Sequence, residues 1–214
     1  MNTERKKQIE EFAMEILAKY NITGNPGKQL EVIARGEDID LVSYPHWDVE
    51  TCGRLMCIDG KHVIFYNEKH TPEMQAFTIA HELGHYFLCH LTDGEKEKIC
   101  LNRDLQRIEV KYNPQEVEEN FFAACLLMPF DQLYSVYHSV LAAIKRNDGP
   151  IYVDTQPCNM RDYKICIRMM QSHFLASATA IRFRMMNLGF MTFNIPFKQT
   201  EDRGISLARY LADN

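Results

Sequence analysis

The sequence predicts an α+β fold: a largely helical chain with one small antiparallel β-sheet packed on its central helix, followed by further helices toward the C-terminus. Three observations carry that expectation. Apolar residues recur at helical spacing through 71–88 and again through 114–128. An Asp59-Gly60 pair separates two β-prone runs, Arg54 to Ile58 and His62 to Tyr66, which is a hairpin signal. Helix-period segments dominate the remainder, with Pro and Gly marking their ends.

Taken in order, residues 3 to 20 read as an amphipathic helix with Ile9, Phe12, Ala13, Ile16 and Leu17 on one face. A short helix follows from Asn25-Pro26 to Gly36, and residues 39 to 44 suit a strand. After the hairpin, Thr71 and Pro72 are placed as N-cap and first helical residue of a helix reaching Leu88. Residues 91 to 112 are charged and irregular, a connection with room for one short strand. Asn113-Pro114 opens a helix that Pro129 ends. Another helix covers 131 to 146 and stops at the Asn-Asp-Gly-Pro cluster 147–150, the best boundary in the chain. It divides an expected main domain, 1–149, from a C-terminal helical, helix-turn-helix-like subdomain, 150–214. Helices at 161–174 and 177–187, a short extended run and a terminal helix at 203–212 complete the expectation.

Composition narrows the function classes. A chain of 214 residues that is 46% apolar can bury a substantial core. A net charge of -5 argues against a general polyanion binder. Basic residues do gather locally: Arg161, Lys164, Arg168, Arg182 and Arg184 stand against only Asp162 between 160 and 195. Five basic residues are few for stable DNA binding at physiological salt. The longest nearly apolar run, Phe121 to Phe130, is too short to span a bilayer, and the charged N-terminus has no apolar targeting core. Seven cysteines without a CxxC pair suit reduced thiols in a cytoplasm.

The chemistry concentrates at His81-Glu82-Leu83-Gly84-His85, an H-E-x-x-H pattern inside the 71–88 helix. Four residues advance a helix by about 400° and ~6 Å, so both imidazoles share one face. They can then converge on one zinc ion. Glu82 sits about 100° round from His81, where it can reach a metal-activated water without binding the metal. Chance gives roughly 0.02 such patterns in a chain of this composition, so two idle histidines and a surface glutamate are the weaker reading. A catalytic zinc needs a third protein ligand. On the 114–128 helix, Glu116, Asn120, Ala123 and Leu127 share a face, and Ala123-Ala124 permit close helix packing. Glu116 fits that ligand, with Asn120 orienting a histidine from one turn on. Glu116 fits equally as the third helical residue of a capping box on Asn113. Glu118 and Glu119 fit simple exposed charges.

Two motifs together carry a family resemblance. Phe77-Thr78-Ile79-Ala80-His81-Glu82-Leu83-Gly84-His85-Tyr86-Phe87-Leu88, and Glu116-x-x-x-Asn120-x-Phe122-Ala123-Ala124-x-Leu126-Leu127-Met128-Pro129, resemble an ImmA/IrrE-type metallopeptidase. The resemblance spans roughly 5 to 190 and implies a zincin-like fold. It implies Zn2+ held by His81, His85 and Glu116, with Glu82 as the catalytic residue. It also implies cleavage of a protein substrate, a helix-turn-helix repressor, that releases stress, phage or mobile-element genes. The chain departs at Glu119, where a small residue is usual, and at Gln75, where a basic residue is common. The alternative is a repressor- or DNA-binding regulator whose metal site is structural, with the 161–187 helices as its contact surface. Two further expectations attach to the chemistry. The strand at 62–66 is a candidate for edge pairing with an extended substrate. Cys89 or Cys100 is a candidate thiol for the metal's fourth position.

Overall fold

The computed structural model describes residues 1–88, 97–101 and 114–193. The first helix, α1 (Thr3–Lys19), is capped by Asn2, whose side chain accepts from the Arg5 amide, and buries Ile9, Ala13, Ile16 and Leu17. Asn25 caps a single 3-10 turn, Pro26–Lys28. The following α2 (Leu30–Gly36) is a separate helix, since the chain breaks at Gln29 where one continuous helix was expected. Strands β1 (Asp40–Tyr44), β2 (Thr51–Ile58) and β3 (Lys61–Asn67) follow, then α3 (Pro72–Phe87) and β4 (Glu97–Leu101).

The β2–β3 turn takes the geometry its residues favour. Asp59 and Gly60 have φ of 50° and 83°, and a two-residue hairpin turn of this kind needs both central residues left-handed. The sheet has the order β1-β3-β2-β4, with β3 and β4 antiparallel to β2. It is mixed, however, because β1 runs parallel to β3. The loop after β1 crosses the end of the sheet, so that β3 inserts between β1 and β2. That arrangement corrects the expected substrate edge. The backbone of β3 is already paired on both sides, and the sheet edges among the described residues are β1 and β4.

Helix α3 starts as the sequence predicts, with Thr71 accepting from the Met74 amide and Pro72 in the first turn. Every residue from Ala76 to His85 is buried. No single stripe produces that; the sheet covers one side of α3 and α4 (Pro114–Leu127) covers another. Gly84 sets the closeness of the α3–α4 contact. A methyl group there would lie 3.2 Å from Phe122 Cδ1 and 3.3 Å from Glu119 Cα.

Beyond Pro129 come α5 (Phe130–Ala143), β5 (Ile151–Val153), α6 (Pro157–His173), α7 (Ala178–Asn187) and β6 (Met191–Phe193). Helix α6 begins earlier than the predicted 161, because Pro157 supplies a ready first-turn φ and Asp154 accepts from the Gln156 amide and the Asn159 side chain. Ser177 caps α7, and β5 pairs in parallel with β6. Buried Ile151, Cys166, Met170, Ile181 and Met185 join the same apolar cluster as Ile9, Leu83 and Phe122. Arg184 ties the segments polarly. It is almost fully buried, donates to the Met128 carbonyl at 3.2 Å, and pairs with Glu10 of α1. The predicted helix at 203–212 and the thiol reading of Cys89 and Cys100 concern side chains and segments outside the described residues.

Candidate metal centre

The site forms where α3 crosses α4. One face of α3 presents His81 and His85, whose rings stand 4.8 Å apart at 87°. The facing side of α4 presents Glu116, Glu119 and Asn120. The Nε2 atoms of both histidines turn toward Glu116, at 3.3 Å for His81 and 3.9 Å for His85. Their Nδ1 atoms turn elsewhere. His81 Nδ1 meets Asn120 Oδ1 at 3.1 Å, and His85 Nδ1 meets Glu119 Oε1 at 2.6 Å. Each ring therefore offers one nitrogen to the space in front of Glu116 and turns the other to a polar neighbour on α4.

Burial makes the grouping electrically tense. His81, Glu82, His85 and Glu119 are all essentially inaccessible, and Glu116 is mostly covered. Burial alone would lower the basicity of His81, but the Glu116 contact and the charges of Glu82, Glu116 and Glu119 outweigh it and push the ring up to about 9. Burial pushes the Glu82 carboxyl up to about 8; Glu116 and Glu119 add to the rise, while His81 and the Leu55 amide oppose it. Burial holds His85 below its ordinary value, against the pull of Glu119. Three carboxylates and two imidazoles in a dry pocket call for a cation. Neither His81 Nε2 nor Glu116 Oε2 makes a well-formed hydrogen bond, although each is buried and they face one another. Such atoms fit a divalent ion lying between them. One donor atom from each of His81, His85, Glu116 and Glu119 lies within 4.8 Å of the others, a set that could hold a metal.

Residues 37–139 match the family described as the IrrE N-terminal-like domain, a peptidase family. The matched segment, just under half of the chain, is similar to ImmA/IrrE-type metallopeptidases. No curated protein matches the chain. The family segment takes in the whole of the β1–β4 sheet, α3 and α4, hence all of the residues just described; α1 and everything from α6 onward lie outside it.

The grouping contains two features that the sequence left open or misjudged. Glu116 points at the histidines, while its competing capping partner, Asn113, lies outside the described residues. Glu119 is fully buried against His85, where an exposed charge was expected; its i,i+3 spacing from Glu116 was the available signal. Glu118 does behave as a partly exposed charge and pairs with Arg5 at 2.6 Å. The β-sheet contributes at Gly53 of β2. A Cβ there would stand 2.4 Å from Thr78 Cγ2 and 3.3 Å from Glu82 Oε1, so the strand lies directly over the Glu82 carboxyl. Two aromatic hydroxyls near the C-terminal half are committed elsewhere: Tyr137 donates to the Gly149 carbonyl, and Tyr163 accepts from Arg182.

Proposed function

We propose that the chain is a zinc-dependent endopeptidase that cleaves a helix-turn-helix repressor, with His81, His85 and Glu116 as metal ligands and Glu82 as general base. The observation that supports this most is the convergence of both Nε2 atoms on the Glu116 carboxylate, next to a buried Glu82. Two imidazoles and one carboxylate suit zinc. An ion bound there would polarise the scissile carbonyl and acidify a water.

The protein's own groups do the rest. Glu82 takes a proton from water as the oxygen attacks the peptide carbon, then delivers that proton to the amine nitrogen as the C–N bond breaks. A carboxyl raised toward neutrality by burial suits both halves of that transfer. Asn120 and Glu119 face the Nδ1 edges of the two rings, and strand β2 covers the Glu82 carboxyl on one side only. An extended substrate would pair with β4, the neighbour of β2 and an edge of the sheet among the described residues.

The repressor-releasing role in stress, phage or mobile-element control follows from the family resemblance. We read 1–149 as the peptidase domain and 150–214 as a helical subdomain that docks the substrate. Its basic residues do not favour the alternative of a DNA-binding regulator. Arg182 is buried and donates to Tyr163 and Thr179, Arg184 is engaged with Glu10, and Arg161 pairs with Asp162. A cytoplasmic location accords with the free thiols Cys52, Cys57, Cys125, Cys158 and Cys166. Among the described residues, no helix is long and apolar enough to cross a membrane.

The test is incubation of zinc-loaded wild type and Glu82→Gln with a candidate helix-turn-helix repressor, with and without a chelator. The wild type should cleave and lose activity to the chelator. Glu82→Gln should retain stoichiometric zinc and cleave at least 100-fold more slowly, within the usual contribution of acid–base catalysis of roughly 10²–10⁴. A variant that cleaves normally would remove Glu82 from the mechanism, and wild type that binds the repressor without cutting it would favour the regulator.

A further inference from the structure

We propose that Glu119 is a positioning residue that holds His85 through Nδ1, so that its Nε2 faces the metal; the inference rests on the metal site proposed above. Proximity alone does not assign this role, because Glu119 belongs to the same compact group of possible donors as the ligands. The assignment comes from which nitrogen each carboxylate faces. Glu116 addresses the Nε2 atoms of both rings, at 3.3 and 3.9 Å. Glu119 Oε1 lies 2.6 Å from the Nδ1 of His85. The two nitrogens of an imidazole point in divergent directions, so a group seated at Nδ1 is on the far edge of the ring from an ion at Nε2.

The neighbouring position shows the same device with different chemistry. Asn120 Oδ1 sits 3.1 Å from His81 Nδ1. Consecutive residues of α4 thus hold the two histidines of α3, one with a neutral amide and the other with a carboxylate. A ring that coordinates through Nε2 must carry its proton on Nδ1, and an acceptor there fixes both tautomer and orientation. A carboxylate acceptor also makes the ring a stronger donor than an amide does. The fold permits this only because of Gly84: Glu119 Cα and Cβ come within 3.3 and 3.4 Å of where a side chain at 84 would begin. A carboxylate in so dry a place is costly unless it is paired, because burial removes its hydration, and His85 Nδ1 is a partner that it has there.

Zinc affinity measured on metal-stripped protein, by competition with a chromophoric chelator, tests the role without any substrate. Glu119→Ala should raise the dissociation constant about 10–100-fold, as loss of such a partner usually does. Glu119→Gln keeps an oxygen at the same reach and should stay within about tenfold of wild type, tighter than Glu119→Ala. Glu119→Asp keeps the charge but withdraws it by one methylene, and should weaken binding at least fivefold. Cobalt-substituted Glu119→Gln should show visible absorption bands of wild-type intensity, because no ligand has been removed. Glu119→Ala within threefold of wild type, Glu119→Asp at wild-type affinity, or Glu119→Gln with altered bands or no better than Glu119→Ala would each overturn the proposal. Should Glu119→Ala not fold, as judged by far-UV circular dichroism, the Gln and Asp variants decide. Glu116→Ala separates the two levels. Wild type that takes up no zinc defeats the metal site itself, whereas zinc lost in Glu116→Ala but unaffected in all Glu119 variants defeats only this inference.

Discussion

Replacing Gly53 by alanine tests whether β2 is seated on α3 as tightly as the geometry says. The added methyl would lie 2.4 Å from Thr78 Cγ2, 3.0 Å from the Phe65 carbonyl oxygen and 3.3 Å from Glu82 Oε1. Two effects oppose each other. Gly53 is not left-handed, so alanine is allowed by the backbone and restricts the unfolded chain, a gain of about 0.4–1 kcal/mol. Inserting a methyl into a close-packed interior costs about 1–3 kcal/mol. The upper end applies here. Phe65 O belongs to the backbone and cannot give way, and Thr78 is fully buried, so moving its Cγ2 to the other helical rotamer must be accommodated inside a close-packed interior. The expected net loss is ~2 kcal/mol, or a fall in Tm of about 4–8 °C for a chain of this size. Equilibrium urea unfolding reads it, with an unchanged m-value showing that the native and unfolded states are still compared alike. Thr78→Ser removes the offending methyl and should recover at least half of the loss in the double variant, leaving a remainder from Phe65 O. Gly53→Ala as stable as wild type, or two substitutions whose effects simply add, would refute this account of the β2–α3 contact.

Three shorter predictions follow from other contacts. Arg184→Ala strips the Met128 carbonyl and the Glu10 carboxylate of a buried partner and should cost about 2–4 kcal/mol in the same urea assay. Glu118→Ala breaks a partly exposed ion pair with Arg5, and should cost about 1 kcal/mol or less. In metal-free protein, Glu82 keeps its proton to about pH 8, whereas an ordinary glutamate releases it near 4.5. The native state therefore binds the extra proton between those values, so this group's stabilising contribution is complete below 4.5 and fades as pH rises through 8. Urea unfolding across that window should show metal-free wild type losing stability with a steeper slope than Glu82→Gln, which has no proton to release.

The amino-acid sequence determined those features whose causes lie within a few residues. Thr71-Pro72 starts α3, Asp59-Gly60 turns the hairpin, and the four-residue step from His81 to His85 puts two rings on one face whatever surrounds them. It also named Glu116 and Asn120 as residues of one helix face, because helical periodicity fixes relative direction. Periodicity does not say what stands opposite that face. Only the packing of α4 across Gly84 decided that Glu116 meets Nε2, that Asn120 and Glu119 meet the two Nδ1 atoms, and that Glu119 is buried where its charge and helix position suggested exposure. The same reason accounts for the parallel β1, whose place depends on a loop passing over a strand not yet formed in sequence order, and for Arg184, a basic residue turned inward by the Met128 carbonyl just past α4 and the Glu10 carboxylate of α1. Local chemistry chooses the conformation of a segment; the energy of a buried charge depends on neighbours that only the folded chain supplies.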